Sequence, residues 1–449
     1  MHVEITSALI EELVDFIEQK NNPKILEKLE HFHPADIAEI MDDLSFDQAI
    51  YVFELVDEDL VSDILVELEE DVRERILKKL SSKDIASSID ELETDDAADI
   101  LAELPEKKKQ EVISEIEDAE HAKDIVELLR YDEDTAGGLM AKELVQVNEN
   151  WTVLTCVREM RKQAEHVEKV HSIYVVDDEE KLLGTLSLKS LLTTSTNTPI
   201  KELYKKDVHY VSVTEDDEDV ALIMQKYDMF VIPVVDELGR LVGRITIDDV
   251  VDVIVEEAEK DYQMASGISQ DVESDDTIWR LFKARFPWLL IGLFGGFTSG
   301  NIIGSFGDII QGHIILLMFI PLIAAMGGNI GVQSSAIVVQ GLANNTIKEG
   351  NVIKRILKEI GLSLTIGLVL SVLIFAFIKW HGSDIVFAYA IGISLIIVVV
   401  LASLIGTIVP LILDKYDIDP AIATGPFITT TNDIVGVLIY FSIASAFIN

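Results

Sequence analysis

Five long apolar runs in residues 286–449 constrain this chain more than any other feature. They lie at about 286–306, 313–342, 358–379, 385–413 and 420–447, each long enough to cross roughly 30 Å of hydrocarbon as a helix. The first is interrupted by glycines (Gly292, Gly295, Gly296, Gly300, Gly304) and follows the basic cluster Arg280, Lys283 and Arg285. The loop between runs two and three carries Lys348, Lys354, Arg355 and Lys358, whereas the loop between one and two has only Asp308. The positive-inside rule then puts the N-terminus in the cytoplasm of a cell (plasma) membrane protein and, with an odd number of spans, the C-terminus outside. Five spans are too few to enclose a polar path easily, so a two-fold homodimer with the path on or near its axis is the expected assembly in the lipid bilayer.

Charge divides the chain the same way. Residues 286–449 hold eight of the 79 acids and six of the 36 bases, so residues 1–285 carry a net charge of −41. Such a surface repels nucleic acid and anionic lipid and favours condensed cations, which makes divalent cations the first ligand to expect and nucleic acid none. The one cysteine, Cys156, cannot form an intrachain disulfide. The N-terminal stretch MHVEITSALIEELVDFIEQ is acidic and amphipathic without a basic region before an apolar core, so it is not read as a secretory signal.

Asp433 stands inside the fifth run, where a carboxylate costs roughly 3 kcal/mol on insertion scales and asks for a functional reason. On a helix, Thr430, Thr429 and Pro426 precede it by three, four and seven residues, one stripe of a carboxylate, two hydroxyls and a helix breaker. Pro426, beside Gly425, is expected to free carbonyls near Ala421 and Ile422 to face a lumen. Duplicated by a dimer, Asp433 suits magnesium, which keeps much of its water and needs few carboxylates. In the second run, PLIAAMGGNIGVQSSAIVVQ, Gly327, Gly328 and Gly331 permit close backbone approach, and Asn329, Gln333, Ser334 and Ser335 supply polar atoms. These serve either the path or helix-to-helix packing.

Residues 1–137 read as short helices with a recurring Asp-Ile core pattern starting at Asp36, Asp63, Asp99 and Asp124, the signature of stacked helical hairpins with acidic outer faces. From about 138 two segments resemble each other, 145–192 and 208–254: short strand, helix, apolar strand (Ile173–Val176, Val231–Val235), turn, strand and closing helix. They resemble a tandem pair of CBS domains, a module that often binds adenosine nucleotides. The second copy keeps the nucleotide pattern as Gly243-Arg244-Ile245-Thr246-Ile247-Asp248-Asp249, so Thr246 and Asp249 are candidate ATP contacts. The first copy has Ser190 where the Asp would stand, so its site is absent or weak. If 248–265 is helical, Asp249, Asp252, Glu256 and Glu259 share one face and repel one another, which calls for a counterion or a basic partner; a solvated acidic face is the plainer alternative.

The order of these parts, with a last run of the form Pro420, Thr424, Pro426, Thr429, Thr430, Asp433 and the Gly-Gly-Asn of the second, resembles the MgtE family of magnesium channels across the whole chain. The resemblance implies a multidomain membrane protein: an acidic all-α superhelical domain (1–137), two α/β CBS domains (138–200 and 201–254), a connecting or plug helix (255–285) and a five-span α-helical transmembrane domain (286–449). It also implies a homodimer that conducts Mg2+ past Asp433 and is held closed by regulatory Mg2+ between acidic surfaces. The matching positions are Asp228 with Asp252, Asp96 with Asp249, and Glu257 and Asp261 lower on the plug, with Asp95, Asp96 and Asp99 competing for one role and Glu256 on the same helix.

Two other classes remain beside this one: a permease for cobalt, manganese or calcium, whose ligands overlap those of magnesium, and a pore-less membrane-anchored nucleotide sensor. The sequence carries no Walker, GxSxG or HExxH motif and no Cys/His cluster, so an enzyme is not expected.

Overall fold

Helical spacing of apolar residues, cut at short intervals by capping residues, breaks the acidic N-terminal segment into ten helices among the described residues. In the computed structural model, which describes residues 5–164, 167, 169–269, 272, 277–343, 346–347, 352–382, 384–416, 418–423 and 425–448, the chain divides into two units, Met1–Ile254 and Val255–Asn449. The first unit opens with α1 (Ser7–Glu18), α2 (Asn22–Leu29), α3 (Pro34–Asp42), α4 (Phe46–Phe53), α5 (Glu58–Glu67), α6 (Glu70–Lys79), α7 (Ser82–Ile89), α8 (Thr94–Ala102), α9 (Glu106–Glu115) and α10 (Ala119–Leu128). Ser81 illustrates the punctuation: it accepts from the Asp84 N–H while Asp84 accepts from the Ser81 N–H, a capping box that starts α7.

Packing repeats with the sequence. Tyr51 donates to Asn22 (2.6 Å), Ser62 to Glu91 (3.3 Å), Arg73 to Glu103 (2.8 Å) and Lys108 to the carbonyl of Leu80 (2.9 Å), partners 28 to 30 residues apart. Each hairpin therefore rests on the next, α3 on α5, α5 on α7 and α7 on α9, which makes the stack a superhelix.

The two similar segments form two small sheets. The first copy holds β1 (Val145–Asn148), α11 (Val153–Gln163), β2 (Ile173–Val176), β3 (Leu182–Leu186) and α12 (Leu188–Thr193). The second holds β4 (Val211–Ser212), α13 (Asp217–Lys226), β5 (Val231–Val235), β6 (Leu241–Thr246) and α14 (Ile247–Ala265). In each, the first pairing is parallel and the second antiparallel, Ile173 facing Leu186 in one copy and Val231 facing Thr246 in the other. The register slips at Val175/Val176 and again at Val234/Val235, the same place in both. The first copy has its own core around Val147, Cys156 and Val175. The second shares one with the helical repeats, Ile100 and Leu101 joining Met140, Ile232 and Val250.

The second unit is built from α15 (Ile278–Ser305), α16 (Gly307–Gly312), α17 (Ile315–Ala343), α18 (Val352–Trp380), α19 (Ile385–Lys415), a 3₁₀ turn (Pro420–Ala423) and α20 (Gly425–Ile448). Among the described residues, α15, α17, α18, α19 and α20 are the five helices long and apolar enough to cross a membrane, so the chain is a multi-pass membrane protein. α19 is the most enclosed of them and α15 the least.

Four expectations change at the element ends. α15 begins at Ile278, so Arg280, Lys283 and Arg285 lie in its first turns instead of ahead of the span, and its glycines do not interrupt it. α18 begins at Val352, not near 358. The connecting helix is α14 itself: it starts inside the second CBS copy and stops at Ala265, so the helix expected over 255–285 does not exist as one element. Pro426 lies in the first turn of α20, where a proline removes no helical hydrogen bond, so it interrupts no helix. Thr424 of the motif lies outside the described residues.

Candidate ion path and acidic cluster

Docking of α8 creates the first site. Thr94, buried at the start of α8, donates its hydroxyl to Glu143 (2.8 Å) and accepts from the Lys142 N–H (2.8 Å). Arg244 of β6, itself buried, donates to the Glu143 carbonyl and to the Glu93 carboxylate at 2.6 Å. Those contacts hold the first turn of α8, with Asp95 and Asp96, where the negative charge of Asp249 bears on both.

The carboxyls respond as crowding demands. Burial, then Asp249, Asp96 and Glu93, holds Asp95 well above the usual carboxylate range. Burial, then Asp249 and Asp99, pushes Asp96 up to about 7. Asp99 stands at the rim with an exposed side chain, yet sits deep enough among protein atoms to rise to about 6, with Glu133 pushing it up and Arg73 pulling it down. Asp249 is also raised by burial, although its Oδ2 accepts from the Thr246 N–H (3.0 Å) and hydroxyl (2.6 Å). The charge of Asp249 thus bears on all three repeat-domain acids.

The remaining candidates scatter. Asp252 is raised by partial burial and by Asp249 and Asp248; Asp228 is not among the charges acting on it, and stands exposed at the end of α13 in the left-handed region (φ 51°). Glu256 is exposed on α14. Glu257 pairs with Lys260 at 2.7 Å. Asp261 is raised by burial and then by Asp419, an acid the sequence reading passed over in the loop before α20. Asp419 also accepts from the Ala421 N–H at 2.7 Å, which fixes the turn around buried Ala421.

The end of α14 meets the start of α20 with no room to spare. A side chain on Gly267 (φ 79°) would run into the Pro426 ring, and one on Gly425 (φ 44°) into the Ala265 carbonyl. Both backbones need left-handed conformations as well as the space, which only glycine supplies readily.

Inside the membrane half, Thr430 and Asp433 of α20 line a cavity of about 190 Å³ with Gly292, Gly295, Gly296 and Ser299 of α15 and Ile320 and Ala324 of α17. Gly295 is what lets α15 approach, since a side chain there would overlap the Thr430 methyl. The Asp433 carboxylate makes no hydrogen bond or ion pair with any described residue. Thr429 turns away, its hydroxyl bonded to the carbonyls of Gly425 (3.2 Å) and Pro426 (3.1 Å). Asn329 stands exposed on α17 and is not among the residues lining this cavity.

Gly327, Gly328 and Gly331 pack against α19 and α20, the packing alternative for that motif. Two polar residues went unassigned in the sequence. Buried Asn432 donates to the Gly327 carbonyl (3.3 Å). Glu359 of α18 accepts from Ser334 and Ser403, both at 2.7 Å. The only sequence signal for either was a polar residue in an apolar run.

Among the described residues, no three His, Cys, Asp or Glu side chains converge closely enough to grip a metal directly. The groups that crowd Asp249 are carboxylates, the oxygen-donor type that hard cations take.

Comparison with known proteins matches the order of these domains. A family profile described as MgtE, divalent cation transporter, matches residues 320–443; one for the MgtE intracellular N domain matches 32–134; and CBS domain profiles match 136–196 and 200–256. The magnesium transporter MgtE of Bacillus subtilis (strain 168) is 33% identical over 422 residues, 94% of this chain and 93% of that protein. That of Enterococcus faecalis (strain ATCC 700802 / V583) is 36% identical over 328 residues, 73% of this chain and 72% of that protein. A crystal structure of the cytosolic domain of the Mg2+ channel MgtE in complex with ATP is 34% identical, with a TM-score of 0.50, and covers 54% of this chain and 99% of that one. Helical repeats, paired CBS modules and five apolar helices in this order, with that similarity over nearly its full length, place the chain in the MgtE family.

Proposed function

We propose that this chain conducts magnesium into the cell across the plasma membrane, down its electrochemical gradient, and that internal magnesium closes it. The observation that carries the reading is the Asp433 carboxylate, inside an apolar helix, open to a cavity and without a protein partner among the described residues. A group so costly to place there is balanced by the cation that visits it. Similarity to proteins named magnesium transporters supports the choice of ion.

The gate follows from Coulomb repulsion. Without cations, Asp95, Asp96 and Asp99 repel Asp249, and Asp261 repels Asp419. Divalent ions that bind only the compact arrangement favour it by mass action, and α14, which carries Asp249 at one end and Asp261 near the other, is the element both groups act on. Water-mediated binding fits carboxylates that do not converge to direct-ligand distance. A homodimer, with its N-terminus cytoplasmic, supplies a second Asp433, and the little-buried α15 leaves surface for that partner. ATP at the second CBS copy is supported by the ATP complex of the similar cytosolic domain. Because Thr246 and Asp249 already satisfy each other, a nucleotide there would share Asp249 with the acid cluster.

Flux of Mg2+ into proteoliposomes, with lumenal and external magnesium varied separately, tests both halves. Transport that persists in Asp433→Asn removes the path, transport indifferent to magnesium on the cytoplasmic side removes the gate, and faster cobalt or calcium flux reassigns the cargo.

A further inference from the structure

Glu359 of α18 is a half-buried carboxylate against the membrane helices. Its Oε1 accepts from Ser334 of α17 and Ser403 of α19, each at 2.7 Å, and the two hydroxyls lie 3.1 Å from one another. Both serines are almost wholly enclosed, at 4% and 0% exposure. Distances of that size are ordinary for hydroxyls donating to an oxygen acceptor. One turn earlier on α18, Arg355 donates to the Ile337 carbonyl (3.2 Å), so α18 is fastened to α17 at successive turns.

The next turn leads to the ion path. Three residues before Ser334 on α17 is Gly331, and three after Ser403 on α19 is Gly406; a side chain on Gly406 would run into the Gly331 backbone. The other side of Gly331 is filled by Asn432, which donates to the Gly327 carbonyl at 3.3 Å. Asn432 precedes Asp433. The serine pair, the glycine pair and Asn432 therefore form consecutive layers of one helix crossing, with Glu359 closing its end.

We propose that Glu359 is a positioning residue for the ion site: by clamping Ser334 and Ser403 it fixes the α17/α19 crossing on which Asn432 rests, and so sets where the Asp433 carboxylate stands. The proposal rests on Asp433 lining the path. A crossing of small residues alone lacks the interhelical hydrogen bonds that add to van der Waals packing in lipid. One side-chain oxygen shared by two donors from different helices gives the crossing one register. Its loss weakens ion binding at Asp433 without removing the ligand.

Concentration-dependent Mg2+ flux by full-length protein in liposomes is the test, with Asp433→Asn run alongside. Glu359→Leu is expected to raise the half-saturating Mg2+ concentration about three- to ten-fold, more than it lowers maximal flux per folded protein. Glu359→Gln, whose amide oxygen still accepts from both hydroxyls, recovers most of that shift. Ser334→Ala with Ser403→Ala reproduces it and adds little on top of Glu359→Leu, since all three act through one clamp. These serine variants keep the test open if Glu359→Leu fails to fold. Unaltered half-saturation in folded Glu359→Leu or in the double serine variant overturns the proposal, as does equal loss in Gln and Leu. Flux surviving Asp433→Asn overturns the path reading instead, so the two failures are distinct.

Discussion

The carboxylates of the cytoplasmic half and that of the fifth span are arranged in opposite ways. Around Asp249 the acids are many and near each other, so each raises its neighbours' affinity for protons. Asp433 has no described side chain as partner and faces open space. A crowded set behaves as a sensor, because its free energy changes steeply with any cation that enters. A solitary carboxylate behaves as a station, because its ligand must be able to leave. On the proposed function, magnesium suits both through the same property, its retained water, which lets it screen acids without touching them and occupy a carboxylate without being caged.

Removing the station has the largest expected effect. Asp433→Ala should lower Mg2+ flux by at least about 100-fold, roughly 2.7 kcal/mol in barrier terms, measured in proteoliposomes against protein that still elutes as the folded species. Less than a ten-fold loss would erase the contrast with the acid cluster, where single substitutions tune and do not abolish.

Next is the wall of the cavity. Gly295→Val puts a branched side chain where the Thr430 methyl lies, which should cost about 1–3 kcal/mol in overpacking and close the cavity beside Asp433. Thermal unfolding and flux should fall together; a stable, fully active variant would show that α15 is not held against α20 there.

Proton binding sharpens the other side. Asp96, at about 7, and Asp99, at about 6, bind protons in the folded state at pH values where unfolded aspartates have lost them. With divalent ions chelated, stability of the cytoplasmic half should therefore rise as pH falls from about 7 toward 4, and decline as pH rises through that window. Saturating magnesium should flatten the rise, because it already relieves the repulsion. A melting temperature independent of pH in chelator would contradict the crowding.

The smallest effect is that of one charge among many. Asp96→Asn should raise the melting temperature in chelator by about 3 °C, the size of 1 kcal/mol in a domain of this length, and reduce the further gain on adding magnesium. Lower stability in chelator would mean that Asp96 is bonded rather than repelled.

Much of this was readable beforehand. The five spans, the duplicated strand–helix–strand units and the Asp-Ile repeats all declare themselves through periodicity, which depends on neighbours in sequence. Asp433 was visible because a charge in an apolar run is conspicuous. Element ends were less so: Pro426 looked like a kink because sequence does not say whether a proline stands within a helix or at its first turn. Asn329 looked like a path residue because the Gly-Gly-Asn motif shows no face.

What the sequence determined by itself is what is local or summed: which segments are helices or strands, which belong in lipid, and that the soluble half is too acidic to ignore cations. Only the tertiary structure decided which acids share one field. Asp95, Asp96 and Asp99 are about 150 residues from Asp249, and Glu359 is 25 and 44 residues from its two serines. Their meeting depends on how Thr94 and Arg244 dock α8 and on how close glycines let α17 approach α19 and α20. Coulomb and hydrogen-bond energies fall with distance in space, so pairs far apart along the chain leave no trace in its periodicity.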